Sequence, residues 1–355
     1  MRKISISECK PGMVVGKTIP FTGATILLEA GTELKQSYIN RLVNLGISEI
    51  YIDDDISKDI VISDVVKEQT RLETIELIRN TMDTCCSDAI LYSEQIIEAV
   101  NKIIDDIFSS DDIVVNLIDI KSCDNYTYLH SVNVCILSII TGIKLELSYD
   151  ELRELGIGAL LHDIGKIMVP PRILKKKAAL SDDEYEFIKQ HSIMGYNILR
   201  NMPKISEASA MVALCHHERY DGKGYIQGLS KDDIHIYSRI VSIADIFDAL
   251  TSDRVYRKKI STSQAIDYLT VIAATAIDSD ILKYFTEIIP PFQVGTGVIL
   301  NNGEKGIVTK LNKDLPTRPV IRIVFNSDGS RRLSYTEINL AEEADYFVTS
   351  TSEII

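Results

Sequence analysis

The chain has 355 residues, enough for about two or three domains and a full hydrophobic core. Apolar residues make up 45% and charged residues 25%, as in ordinary soluble globular proteins. Acidic side chains outnumber basic ones 51 to 38, and a net charge of −13 excludes the broad basic surface that a nucleic-acid polymer requires, though not a small anionic ligand.

The opening Met1-Arg2-Lys3-Ile4-Ser5 is not followed by an apolar stretch, so no signal peptide is expected. Residues 1 to about 55 carry short strand-like runs at 13–15, 25–28 and 49–52, punctuated by Gly16, Gly23 and Gly31. One helix, 36–45, ends at Gly46. This reads as a small α/β module over 1–60, followed by a helical linker at 61–90. Helical periodicity then runs to about 286, with helices expected at 64–82, 93–107, 126–142, 148–164, 181–202, 206–217, 233–251 and 261–273. Ser148-Tyr149-Asp150-Glu151 and Ser181-Asp182-Asp183-Glu184 both fit the S-x-x-E capping box. The apolar stretch 132–143 is too short to span a bilayer and reads as a buried helix, so no membrane span is expected. After Pro290-Pro291, strand-like runs at 298–300 and 306–311 flank Asn301-Asn302-Gly303, and runs at 320–325 and 331–335 flank Asp328-Gly329. A small antiparallel module over 287–355 follows. The fold class is thus mainly α: a helical core with a small module at each end. None of the six cysteines forms a C-x-x-C pair, so they read as reduced thiols of a cytoplasmic protein.

Five of the six histidines fall on the central helices: His130, His162, His191, His216 and His217. His235 lies in a polar segment and reads as a surface residue. Phe187, His191, Met194 and Ile198 share one helical stripe, and so do Leu152, Leu155, Ala159 and His162, so both histidines should point inward. Asp163 follows His162 directly. Asp245 lies in Ile240-Val241-Ser242-Ile243-Ala244-Asp245-Ile246-Phe247, where a buried carboxylate is costly unless paired or metal-bound. One inward histidine is more often a satisfied core residue than a ligand. Five at once, with two adjacent doublets, weaken that reading. Imidazole and carboxylate together suit Fe, Mn, Zn or Ni better than Ca or Mg. Two such ions about 3.5–4 Å apart would activate a water and neutralise phosphoryl oxygens, as phosphoester hydrolysis needs. No G-x-S-x-G elbow, Walker A loop or G-x-G-x-x-G motif is present.

Lys166 follows Gly165 at an expected helix end, where it could reach a bound phosphate or simply complement the helix dipole. The string His216-His217-Glu218-Arg219-Tyr220-Asp221-Gly222-Lys223-Gly224-Tyr225 runs from a histidine doublet into a charged, glycine-bearing loop. Arg219, Asp221, Gly222, Gly224 and Tyr225 are candidate substrate contacts, with a plain solvated turn as the alternative. Arg254, Arg257 and Lys258 form a basic cluster in an acidic protein. Arginine there suits phosphate, with charge balance against nearby aspartates as the alternative.

Together, His162-Asp163-Ile164-Gly165-Lys166, His216-His217, Gly222-Lys223-Gly224-Tyr225 and the run from Ala244 through Asp245 and Asp248 to Arg254 resemble HD-GYP domain phosphodiesterases, of the HD superfamily of metal-dependent phosphohydrolases, over roughly 90 to 285. The resemblance implies an HD-type helical catalytic domain at 91–286 and hydrolysis of cyclic di-GMP to linear pGpG, sometimes onward to GMP. It implies two divalent transition-metal ions, Fe or Mn first, with Ni, Zn or Mg as alternatives. His130, His162, Asp163 and Asp245 would hold one ion, and Asp163 would bridge to a second held by His191, His216 and His217. Lys166 would stabilise phosphoryl charge, Arg254 and Arg257 would grip phosphates, and Tyr225 would contact a guanine. Tyr126 stands where some members carry a glutamate that binds a third ion, which argues for two ions here. The family's Gly-Tyr-Pro is Gly224-Tyr225-Ile226, a change expected to loosen the loop. The expected partners are cyclic di-GMP or a related cyclic dinucleotide, a protein at the Gly-Tyr-Ile loop or end modules, and a second copy in a homodimer. The alternatives are a cyclic di-GMP-binding effector with little turnover, or an HD hydrolase for another cyclic dinucleotide.

Overall fold

The structure is a computed structural model that describes all residues except 21–25, 63, 84–91, 111–125, 175, 177, 253–258, 274, 313–314 and 353–355, and the side chains of Pro20 and Tyr126. Arg254, Arg257, Lys258, Cys85, Cys86 and Cys123 therefore lie outside the described residues. The described residues form two compact units.

The first unit combines Met1–Asp64 with Ile289–Ile355. Strand β1 (Arg2–Ser5) pairs antiparallel with β5 (Glu49–Asp53), which also pairs with β2 (Val14–Val15). Strands β3 (Ile19–Pro20) and β4 (Ile26–Leu28) form a separate ladder, and α1 spans Gln36–Asn44. The C-terminal strands β6 (Gly297–Leu300), β7 (Lys305–Lys310), β8 (Val320–Phe325), β9 (Arg331–Asn339) and β10 (Val348–Thr351) form one antiparallel sheet in the order β10-β6-β7-β8-β9. Both expected hairpins form, with Gly303 and Gly329 at φ +85° and +84°, backbone angles that glycine adopts without steric cost. Strands β1, β3 and β10 carried too few alternating residues to stand out in the sequence. Ile4, Val15, Ile50 and Ile52 share one buried cluster with Val298, Ile307, Ile321 and Ile323, so both ends of the chain build a common core. Arg322 reinforces it with paired hydrogen bonds to Asp59 of 2.5 and 2.6 Å and one to Glu337 of 2.8 Å.

The second unit, Val65–Ile113 with Tyr126–Ile288, is helical. Its helices are α2 (Glu68–Asp83), α3 (Ser93–Ser109), α4 (Tyr126–Lys144), α5 (Tyr149–Leu160), the short α6 (Pro171–Leu174), α7 (Asp182–Lys189), α8 (His191–Leu199), α9 (Glu207–Cys215), α10 (Ile236–Thr251), α11 (Thr262–Ile272) and α12 (Ser279–Ile288). Helix α4 is buried from Val132 to Thr141 and packs against α2, α3, α5, α10 and α12. Both expected capping boxes form, at Ser148–Glu151 and Ser181–Glu184, and a third starts α11 at Ser261–Gln264. No helix among the described residues is long and apolar enough to cross a membrane.

Two expected helices are shorter than their periodicity suggested. Helix α5 ends at Leu160, and His162 and Asp163 lie before a 3₁₀ turn, Ile164–Met168. Gly165 thus sits inside that turn and not at a helix end, where its lack of a side chain allows close approach to α8. The expected helix 181–202 breaks at Gln190, leaving Phe187 39% exposed on α7 while His191 opens α8 and is buried. The stripe through both helices is therefore not continuous, although its histidine does face inward. Helix α12 was not anticipated, because its apolar residues merge with the irregular stretch before Pro290.

Candidate metal centre

The α5 end and following turn, α4, α8, α9 and α10 each deliver part of one cluster. His130 comes from α4, His162 and Asp163 from the segment after α5, His191 from the first residue of α8, His216 and His217 from the end of α9, and Asp245 from α10. Asp163, His191, His216 and His217 can offer ligand atoms that all lie within 4.8 Å of one another, and His130, His162 and Asp245 form a second such group. His130, His162, Asp163, His191 and His216 are buried.

Hydrogen bonds fix how these rings are aimed. The Nδ1–H groups of His162 and His191 donate to the carbonyls of Ala159 (2.8 Å) and Ile188 (2.6 Å). His216 Nδ1–H is shared between the Ala213 and Val212 carbonyls, at 3.0 and 3.1 Å. A carbonyl can only accept, so each Nδ1 carries the proton and, in the neutral ring, each Nε2 presents a bare lone pair. Those lone pairs converge. His191 Nε2 lies 3.4 Å from His216 Nε2 and 3.4 Å from Asp163 Oδ1. His216 Nε2 is 3.8 Å from the same oxygen, and His162 Nε2 is 3.3 Å from Asp163 Oδ2. Asp163 Oδ1 and His162 Nε2 are buried with no hydrogen-bond partner. Acceptors facing acceptors in a buried site repel one another unless a cation sits between them, so these residues fit divalent metal ions. Orienting each ligand histidine through its other ring nitrogen is the usual support of a metal site.

His130 is held differently. Its Nδ1 lies 2.8 Å from Asp248 Oδ2 and its Nε2 lies 3.1 Å from Asp245 Oδ1. Burial disfavours its charged form, but hydrogen bonds to Asp245 and Asp248 outweigh it and push the imidazolium up to about 9. Burial pulls His191, His216 and His217 down, His217 to about 4, which favours the neutral, metal-binding ring. Burial would raise Asp163, yet the Lys166 charge beside it holds its carboxyl well below the ordinary range.

Asp248 had no assigned role in the sequence. It also accepts from Asn133 Nδ2 at 2.8 Å, and Asn133 Oδ1 accepts from buried Arg71 at 2.8 Å. This chain of Arg71, Asn133 and Asp248 braces His130 from behind. Its sequence signal was helical spacing: Asn133 is three residues from His130 on α4, and Asp248 is three from Asp245 on α10.

Lys166 donates to Asp163 Oδ2 and remains 31% exposed. Arg219 pairs with Asp221 at 3.0 and 2.8 Å, so these two candidate contacts hold each other. The Tyr225 ring lies 4.8 Å from the His217 ring, and the Lys189 ammonium lies 5.5 Å from the Tyr225 ring. Gly224 is required by close approach, because a Cβ there would lie 2.4 Å from Arg219 N and Glu218 Cα. Gly222 adopts φ +75°. Glu218, also unassigned in the sequence, is buried and accepts from the backbone N–H of Gln227 (2.6 Å), Gly228 (3.1 Å) and Leu229 (3.1 Å). It ties down the stretch that Ile226 was expected to loosen. His235 is exposed, as expected, and caps α10 by accepting from Tyr237 N at 3.3 Å. A cleft of about 380 Å³ opens on the cluster, lined by His130, Asp163, Lys166, His217 and Asp245 and by Thr127, Ile246, Ala249, Leu250 and Tyr268. That volume falls within the range of small-molecule sites.

The HD domain family matches residues 123–281, and the KOW domain associated with HD domain matches 297–354. The chain is 35% identical over 214 residues to the cyclic di-GMP phosphodiesterase PA4108 of Pseudomonas aeruginosa, covering 60% of this chain and 51% of that protein. It is 31% identical over 207 residues to the cyclic di-GMP phosphodiesterase PdeB of Borreliella burgdorferi, covering 58% and 54%. The matched region thus spans about half the length of each relative. Among solved structures, Bd1817, an HDG"Y"P protein from Bdellovibrio bacteriovorus, shares the fold with a TM-score of 0.51 at 16% identity, covering 81% of this chain and 98% of that one. The helical unit and its His/Asp cluster thus coincide with the stretch, residues 123–281, that is similar to the HD domain family.

Proposed function

We propose that this protein is a metal-dependent phosphodiesterase that hydrolyses cyclic di-GMP to linear pGpG. The observation that carries the reading is the convergence of bare Nε2 lone pairs on the unpartnered Asp163 oxygen at the floor of an open cleft. His130, His162, Asp163 and Asp245 would hold one divalent ion, and Asp163 would bridge to a second held by His191, His216 and His217. Fe or Mn suits this mixed donor set. Bound there, the ions would supply an activated water and neutralise phosphoryl charge.

The protein's own groups would do the rest. Asp163 presents its two oxygens to two different sets of imidazoles, as a bridging carboxylate must. Lys166, at the cleft wall, would exchange part of its Asp163 contact for a phosphoryl oxygen. The Asp221-held Arg219 and the Tyr225 ring beside His217 would position substrate. Arg254 and Arg257 are proposed as phosphate contacts on their sequence alone. The wall of Ile246, Ala249 and Leu250 would limit water around the reacting phosphate. A cytoplasmic location is proposed with this substrate, supported by the buried free thiols of Cys9, Cys135 and Cys215.

The test is incubation of purified, Mn- or Fe-loaded protein with cyclic di-GMP, aerobically and anaerobically, with products separated by chromatography. The expected result is pGpG. Tight calorimetric binding without product would replace the reading with a binding effector. Turnover of a different cyclic dinucleotide alone would correct the substrate and keep the chemistry.

A further inference from the structure

Tyr268 has no role in the mechanism above, yet it lines the same cleft. Helix α11 buries Ala265 and Leu269 completely, and this face anchors it against the unit. Tyr268 immediately precedes Leu269, about 100° around the helix, and so leaves the buried face; it is 48% exposed. The cleft lining divides by chemistry. His130, Asp163, Lys166, His217 and Asp245 form a polar part suited to a phosphate, while Ile246, Ala249, Leu250 and Tyr268 form an apolar part with one flat aromatic surface.

A half-exposed tyrosine in the same cleft as a polar group of side chains that includes Lys166 matches the demands of a nucleotide. Phosphate and base are joined through a ribose, so a phosphate on the polar floor brings a base to the surrounding walls. Every nucleobase has a π face that can lie on such a ring.

We infer that Tyr268 stacks a purine base of the cyclic dinucleotide whose scissile phosphate lies on the His/Asp floor. The inference rests on the phosphodiesterase reading for its substrate class. Tyr268 then acts in substrate recognition, and its loss weakens binding more than it slows chemistry.

The test uses the full chain, metal-loaded, as wild type, Y268A and Y268F. With cyclic di-GMP, Y268A should raise KM roughly 5- to 150-fold, the effect of losing one base–aromatic stack, with kcat changed less than about threefold. Y268F keeps the ring and should behave as wild type. A cyclic dinucleotide carrying 2-aminopurine supplies a second readout. Its fluorescence should be quenched on binding to wild type and Y268F, and not on Y268A. Metal content by elemental analysis should be equal in all three. Unchanged KM and quenching in Y268A would overturn the inference. So would equal impairment of Y268A and Y268F, which would point to the hydroxyl, or metal loss in Y268A, which would point to a structural role. If wild type cleaves no cyclic dinucleotide, the phosphodiesterase reading fails, and the quenching comparison alone decides whether Tyr268 stacks a base.

Discussion

Replacing Gly165 with alanine should damage the metal centre without removing any ligand. A Cβ at this position would lie 1.9 Å from the His191 carbonyl oxygen and 2.5 Å from Gly195 N. Real Cβ contacts do not fall below 3.0 Å, so the 3₁₀ turn and the first turn of α8 must part by more than an ångström. Both obstacles are backbone, and no side chain can swing aside to absorb the change. The turn follows directly on Asp163 and α8 begins with His191, so the 3.4 Å gap between those two groups opens with it. Misplacing a catalytic group by about 1 Å can cost about 100-fold in rate. Overpacking of this kind costs about 1–3 kcal/mol, or roughly 2–12 °C in Tm for a unit of this size. The assays are steady-state turnover of cyclic di-GMP by the Mn-loaded variant, elemental analysis and a thermal melt of the metal-free form. A G165A protein with wild-type metal content and turnover within threefold of wild type would refute the reasoning.

Asp163→Ala should lose metal and activity together, because in the proposed arrangement both ion sites would share this carboxylate; full metal content and rate by elemental analysis and turnover would contradict the bridging role. Lys166→Ala should keep its metal and slow turnover by about 10-fold or more, and a large metal loss by elemental analysis would make Lys166 structural. Metal binding at pH 7 should release about one proton from His130, which is charged in the metal-free protein up to about pH 9 and must become neutral to ligate. Calorimetry in buffers of different ionisation enthalpy reads this release, and none at pH 7 would contradict the arrangement. In the metal-free protein, His130 is raised from 6.5 to about 9, so its contribution to stability is complete below pH 6.5 and lost as pH rises through 9. His217 is lowered to about 4, and His191 and His216 move the same way, so stability also falls as pH drops from 6.5 through 4. Denaturant melts of the metal-free protein should therefore show a maximum near pH 6.5; a steady rise from pH 5 to 9 would refute this assignment.

The centre was legible because its residue types are rare and costly to bury. Five histidines and two aspartates on or beside apolar helices ask for a common explanation, and the helical periodicity expected across their segments pointed His162 and His191 inward. What escaped notice was supported by geometry that a one-dimensional pattern does not carry. Asp248, Asn133 and Arg71 belong to three helices, and their partnership exists only once α2, α4 and α10 pack. Glu218 reads as one more loop charge until its carboxylate gathers three backbone N–H groups. The break at Gln190 left no proline or glycine as a marker, because its backbone remains near helical values at φ −64° and ψ −15°. Tyr268 carries no signal in the sequence, since nothing local to α11 reveals that a cleft lies beside it.

The shared core of the first unit has a consequence for synthesis. Ile4, Val15, Ile50 and Ile52 are made early, but their partners Val298, Ile307, Ile321 and Ile323 are made late. At about 5–20 residues per second, the nascent amino-terminal strands wait roughly 12–55 s for the sheet that covers them. In that interval the helical unit can emerge and fold, while the waiting apolar strands are the part of the chain most in need of a chaperone.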